Sequence, residues 1–241
     1  ILDAAKSVNI KIPSLCHIRI NEINMVNNCA SCRVCMVSSD KGLVPACGTL
    51  VKEGMNIKTN SSEVLKARKT IVELLLSDHP QDCLICERNG NCELQTIAAD
   101  LGIRNIRYKG EKSNCPIDNS SKSIVKNYDK CILCRRCETI CNEVQTVGVL
   151  SGVNRGFGTE VGTFFNTNLC DTECTFCGQC IAVCPTGALT EVNNIPVVSM
   201  NYEDINENIN FCKVMLIDEP ELIEEVITKI PKEFHDKYTI V

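Results

Sequence analysis

Two stretches of this chain spell one cysteine word twice: Cys131, Cys134, Cys137, Cys141 and Cys174, Cys177, Cys180, Cys184 each read C-x2-C-x2-C-x3-C, and Pro185 follows the second. Three thiolates at that spacing wrap one 4Fe–4S cubane, and the fourth, set further along, ligates the cubane of the other word. Cross-ligation therefore groups Cys131, Cys134, Cys137 and Cys184 round one cluster, and Cys141, Cys174, Cys177 and Cys180 round a second. The chemistry of two such neighbours is the passage of single electrons. Structural zinc is the competing use of so many thiols. Zinc usually takes two C-x2-C pairs, whereas each word here offers a tight triplet and a fourth. A disulfide scaffold fits less well. Nineteen cysteines in 241 residues is dense, but such scaffolds are usually short and secreted. This chain is long and shows neither a signal peptide nor an apolar run of spanning length.

Two more ligand words precede these. Cys16, Cys32, Cys35 and Cys47 read C-x15-C-x2-C-x11-C, a long gap, a close pair and another gap. That pattern suits a 2Fe–2S cluster clasped by loops of a small sheet. An extra Cys29 offers an alternative pair with Cys32, but only Cys32 and Cys35 run on into strand-forming residues. His79, Cys83, Cys86 and Cys92 read H-x3-C-x2-C-x5-C. One histidine and three cysteines could also hold zinc. The position of this word between iron–sulfur words favours a third 4Fe–4S cluster. Neutral imidazole in place of thiolate removes a negative charge and raises the potential. Arg135 and Arg136 sit inside the third module's first word, either as a solvated surface pair or as charge that offsets the thiolates. Cys115 and Cys170 have no partner word.

The elements that position these ligands follow from local pattern. Residues 2–8 read as helix. Cys32 leads into a strand, and residues 51–60, turning at Gly54, read as a closing hairpin arm. Ser61 and Ser62 start a helix that places Val64, Ala67, Ile71 and Leu74 inward and ends near Asp78. A second helix runs from Cys92 to Leu101 and stops at Gly102. Residues 109–124, rich in Lys, Ser, Asn and Gly, read as a linker. The insertion from Val144 to Leu169 reads as an added hairpin and loop. Residues 213–217 read as a buried strand, and residues 219–230 as a helix ended by Pro231. The expected organisation is a 2Fe–2S module at 1–60, a His-ligated module at 61–108, a paired-cubane module at 125–195 and a strand–helix tail at 196–241.

Composition agrees with cluster-centred modules. Aromatics are 4% of the chain and tryptophan is absent, so no large apolar core is evident. Ligation can tie distant segments in its place. The formal charge is −5, and four filled oxidised sites take it to roughly −12. Nucleic acid is therefore not an expected partner. Thiolate clusters point to a reducing interior, the cytoplasm or a hydrogenosome-like or mitochondrion-like organelle.

The run Cys-Ile-Leu-Cys-Arg-Arg-Cys at 131–137, the Asn142–Thr146 segment and the run from Cys177 to Leu189 resemble the electron-transfer half of iron-only (FeFe) hydrogenases. The likeness covers about residues 1–192, with four cluster words in the same order. The same front end occurs on some formate dehydrogenases and on subunits of NADH-linked complexes. Respiratory complex I is the weaker match on the paired cubane words. The resemblance implies an α+β chain: a beta-grasp 2Fe–2S ferredoxin domain, a small helical 4Fe–4S domain with one His and three Cys ligands, and a bacterial-type 2x(4Fe–4S) ferredoxin domain. It implies one 2Fe–2S and three 4Fe–4S clusters. It also implies a ferredoxin or NADH-oxidising flavoprotein as redox partner and a catalytic subunit or domain that uses the electrons. A beta-grasp domain has two strands before its helix, so residues are expected to be missing ahead of Ile1. The stretch from His17 to Ser31 is longer than that family's.

After Cys184 only Cys212 remains, too few thiols for a catalytic cluster, and no acid–base pair, phosphate loop or nucleophile constellation is evident. The expectation is an electron relay without a catalytic site of its own. The alternatives are a fragment of a full hydrogenase or formate dehydrogenase, or a zinc-binding structural or sensor module.

Overall fold

The computed structural model describes residues 1–27, 30–113 and 115–192, and residues 1–192 form one unit. Cys29, Cys212 and the tail elements expected at 213–217 and 219–230 lie outside the described residues.

The first module is built round a three-stranded antiparallel sheet. Helix α1 (Leu2–Ser7) lays Ala5 on Ile12, Val37 and Ala46. The long stretch after Cys16 folds into a ribbon of β1 (Arg19–Ile20) and β2 (Met25–Val26). Asn27 closes that ribbon, giving its Nδ2 to the Cys16 carbonyl at 2.7 Å and accepting from the Ile18 amide at 2.8 Å. Strands β3 (Met36–Ser39), β4 (Gly42–Pro45) and β5 (Ile57–Lys58) pair in the order β4-β3-β5. The closing arm expected over 51–60 is thus a strand only at its far end.

Helix α2 (Ser62–Asp78) starts at Ser61, whose Oγ accepts from the Val64 amide at 3.3 Å. Its inner face is rotated from the expected one: Val64, Arg68, Val72 and Glu73 are buried, and Leu74 is 51% exposed. The cause is polar. Arg68 donates from Nε and Nη2 to the Met36 carbonyl at 2.9 and 2.7 Å, and Glu73 accepts from Arg107 at 2.7 Å. Buried groups with such partners belong to a core face, and a search for apolar periodicity passes over them. Helix α3 (Glu93–Asp100) begins directly after Cys92, and Gly102, at φ +62, ends it.

Residues 109–124 run along the body. Lys112 gives its ammonium to the Ser77 and His79 carbonyls at the end of α2, and Ser113 bonds Asp78. Strand β6 (Ile117–Asp118) joins a sheet of order β10-β7-β6 with β7 (Ile124–Asn127) and, at the end of the described residues, β10 (Leu189–Glu191). Between β7 and β10 come α4 (Arg136–Thr139), a π-helical turn at Ile140–Val144, the expected added hairpin as β8 (Ser151–Val153) and β9 (Glu160–Gly162), and α5 (Gln179–Ala182). One apolar cluster unites Leu15, Cys16, Val34, Val72, Leu94, Ile132 and Cys134, so the three modules share a core. No helix among the described residues is long and apolar enough to cross a membrane.

Candidate iron–sulfur sites

The two cysteine words of the third module adopt one backbone shape. Leu133 and Arg135 in the first, and Phe176 and Gly178 in the second, occupy equivalent places and have φ of 54°, 60°, 53° and 71°. Three of the four are not glycine, and a left-handed residue with a side chain costs about 1–2 kcal/mol. The turn directs amides at sulfur. The Leu133 amide donates to Cys131 Sγ and the Phe176 amide to Cys174 Sγ, each at 3.4 Å. The Arg136 amide points at Cys134 from the same place, and the Ile181 amide at Cys180 from one residue on. Amides aimed at sulfur stabilise thiolate, the form that binds metal.

Each word then borrows one cysteine from the other. Cys131, Cys134, Cys137 and Cys184 line one hollow. Cys141, Cys174, Cys177 and Cys180 line a second. Cys141 reaches the second hollow from the π-helical turn, and Cys184 reaches the first from the end of α5. Burial pushes the Cys131 thiol up to about 11, and Cys134 and Cys180 to about 12. Thiols this reluctant to ionise alone give up their protons to a cationic core. Among the described residues no three His, Cys, Asp or Glu side chains converge on a point fit for a single ion.

In the first module Cys16 and Cys32 share a hydrogen bond, which pulls the Cys16 thiol down to about 4 and pushes that of Cys32 up. Cys35 lies beside them, and the Cys47 amide donates to its sulfur at 3.5 Å. Arg33, at φ 58°, puts a left-handed residue in the Cys32–Cys35 loop as well, one place earlier than Leu133 in its own. Cys29 lies outside the described residues.

His79 ends α2 as its C-cap residue and is 9% exposed. Its Nδ1 is buried with no hydrogen-bond partner, and burial lowers the imidazole to about 4, so the ring is neutral. A buried neutral imidazole with an unpartnered nitrogen is suited to bind a metal. Cys83, Cys86 and Cys92 lie within electrostatic reach of one another, and the Leu94 and Gln95 amides at the start of α3 point at Cys92. By type, one imidazole and three thiols are donors that such a cluster takes. His79→Cys should therefore keep that cluster and lower its potential by on the order of 100 mV, through the added negative charge. A redox titration followed by EPR in which no signal moves removes His79 from the site.

The paired arginines divide. Arg135 is half-exposed and bound to Glu138, whose own side chain is largely covered. Arg136 is 8% exposed and binds Glu93 through both terminal nitrogens at 2.6 and 2.9 Å, with its Nε buried and unpartnered. Cys115 bonds Asp129 through its amide, and Cys170 is exposed beside Asp171. Arg88, Glu93, Asn27 and Lys130 carry no ligand spacing, yet they tie the cysteine loops together. Arg88 donates to the carbonyls of Ile181 and Cys184 at 3.2 and 2.7 Å.

Three family models of iron–sulfur regions match successive parts of the chain. Residues 1–62 match the 2Fe-2S iron-sulfur cluster binding domain. Residues 68–107 match the NADH-ubiquinone oxidoreductase-G iron-sulfur binding region. Residues 121–190 match the ferredoxin-like domain of NADH-quinone oxidoreductase subunit 3. The third module is therefore not a mark of hydrogenases alone. The chain is 55% identical over 193 residues to the NADP-reducing hydrogenase subunit HndD of Solidesulfovibrio fructosivorans, covering 79% of this chain and 33% of that one. It is 36% identical to the NADPH-Fe(3+) oxidoreductase subunit alpha of Geobacter sulfurreducens, covering 78% and 22%. It is 33% identical to the NADH-ubiquinone oxidoreductase 75 kDa subunit of Dictyostelium discoideum, covering 79% and 27%. The chain thus spans a third or less of each of these relatives. Among solved structures, an NAD+-reducing NiFe-hydrogenase in the H2-reduced state superposes with a TM-score of 0.73 at 25% identity over 80% of each chain.

Proposed function

We propose that this chain, which carries the iron–sulfur region common to a hydrogenase subunit and to an NADH-ubiquinone oxidoreductase subunit, relays single electrons to or from a catalytic site elsewhere. It holds one 2Fe–2S cluster on Cys16, Cys32, Cys35 and Cys47. It holds 4Fe–4S clusters on His79, Cys83, Cys86 and Cys92; on Cys131, Cys134, Cys137 and Cys184; and on Cys141, Cys174, Cys177 and Cys180. When bound, these groups supply reversible one-electron exchange.

The observation that carries the reading is adjacency. The Cys131–Cys134–Cys137–Cys184 set borders each of the others. Cys134 shares an apolar cluster with Cys16 and Cys32, and its carbonyl accepts from Ser31 at 3.3 Å. The loop after Cys184 lies against Cys86, and Cys137 is within electrostatic reach of Cys180. The donor is a ferredoxin or an NADH-oxidising flavoprotein, the acceptor is a catalytic subunit or domain, and the setting is the reducing cytoplasm. The anaerobically purified chain should accept electrons from a low-potential donor and pass them to oxidised ferredoxin. It should make no more hydrogen from reduced methyl viologen, after exposure to hydrogenase maturation factors, than a cluster-free control. Hydrogen above that control assigns catalysis to the chain, and failure to take up electrons removes the relay.

A further inference from the structure

We propose that Lys130 is a positioning residue for the His79–Cys83–Cys86–Cys92 site, its ammonium held against the Cys86 sulfur so as to raise that site's reduction potential. The proposal rests on the iron–sulfur reading of these ligands. Lys130 belongs to the third module and stands next to Cys131, yet its Nζ donates to Cys86 Sγ of the second module at 3.5 Å. The side chain is 14% exposed, and its other partner is Asp82, at 3.7 Å and 40% exposed. A solvated surface lysine would lie the other way about, out in water with its carboxylate.

The approach is built. The Lys130 carbonyl accepts from Thr186 Oγ1 at 2.7 Å, which fixes the residue at the end of its turn. The stem passes Gly187, where a Cβ would stand 3.4 Å from Lys130 Cδ and 3.0 Å from Cys86 Sγ. A side chain there would crowd the Cys86 sulfur, so glycine suits the close approach of stem and sulfur. A lysine ammonium is a compact charge, and a charge-assisted hydrogen bond to a ligand sulfur favours the more negative, reduced state of a cluster. Asp82 opposes it. One cation thus joins the Cys131 loop to a ligand of the imidazole site.

The test is an EPR-monitored redox titration of the cluster-loaded chain, with the signal assigned as the one that His79→Cys moves. Lys130→Met should lower the reduced-to-oxidised ratio of that cluster at a fixed potential about tenfold, a downward shift of about 59 mV. Lys130→Arg should retain most of the wild-type value. Asp82→Asn should shift the same signal upward. Opposite signs from the two partners are what charge produces and what loosened packing does not. The proposal is overturned if Lys130→Met with full iron leaves the potential unchanged, or if Lys130→Met and Lys130→Arg shift it equally. If Lys130→Met loses iron, Asp82→Asn decides: an upward shift supports the proposal, and no shift ends it. Absence of any 4Fe–4S signal in the wild-type chain would instead overturn the iron–sulfur reading.

Discussion

Cys184→Ala should break the cubane of the Cys131 word, not that of the word in which Cys184 is written. Iron should fall by between about one and four atoms per chain, according to whether a three-iron remnant survives. The reason is the hollow that Cys184 lines with Cys131, Cys134 and Cys137, apart from that of Cys174, Cys177 and Cys180. Paired variants make the assignment sharp, because deletions within one unit do not add. Cys137→Ala with Cys184→Ala should alter only the cluster that Cys137→Ala alone alters, whereas Cys180→Ala with Cys184→Ala should alter two. If that second pair alters one cluster only, each word ligates its own cluster and the cross-ligation is wrong.

Glu93→Ala should destabilise the whole described unit by about 2–3 kcal/mol. The Arg136 side chain is 10% exposed and Glu93 is 47% exposed, so the loss falls on the arginine. Without the carboxylate, the guanidinium retains only the Val183 and Ser14 carbonyls at 3.5 and 3.4 Å. A buried cation left so thinly paired is costly, whereas removing both partners is not. In a chain of this size the loss lowers the apparent melting temperature by roughly 4–12 °C. Adding Arg136→Met should restore most of it. Glu138→Ala leaves behind an Arg135 that is already half in water, and should change stability by less than about 1 kcal/mol. Equal effects from Glu93→Ala and Glu138→Ala would show that Arg136 does not join the modules.

What spacing makes legible here is the grouping of the cysteines, because it is a one-dimensional record of which side chains a fold can bring to one hollow. The hollow walled by Cys141, Cys174, Cys177 and Cys180 follows from counting residues. The start of α2 is legible for a similar reason, since capping is local. Its inner face is not, because Arg68 and Glu73 are buried by partners far along the chain, Met36 and Arg107. Arg135 and Arg136 show the same limit: adjacent identical residues part company only when Glu93 of the second module arrives at one of them. Residues 109–124 have a linker's composition, yet Lys112, Ser113 and Asp118 bind groups that no local pattern announces. Lys130 was invisible for want of any motif, since its partner sulfur belongs to another word.

Anaerobic quantification of iron, acid-labile sulfide and zinc in the purified chain tests the central claim most directly. Four filled sites require about 14 iron and about 14 sulfide atoms per chain, with zinc near zero. Zinc near four per chain with little sulfide would contradict the account outright.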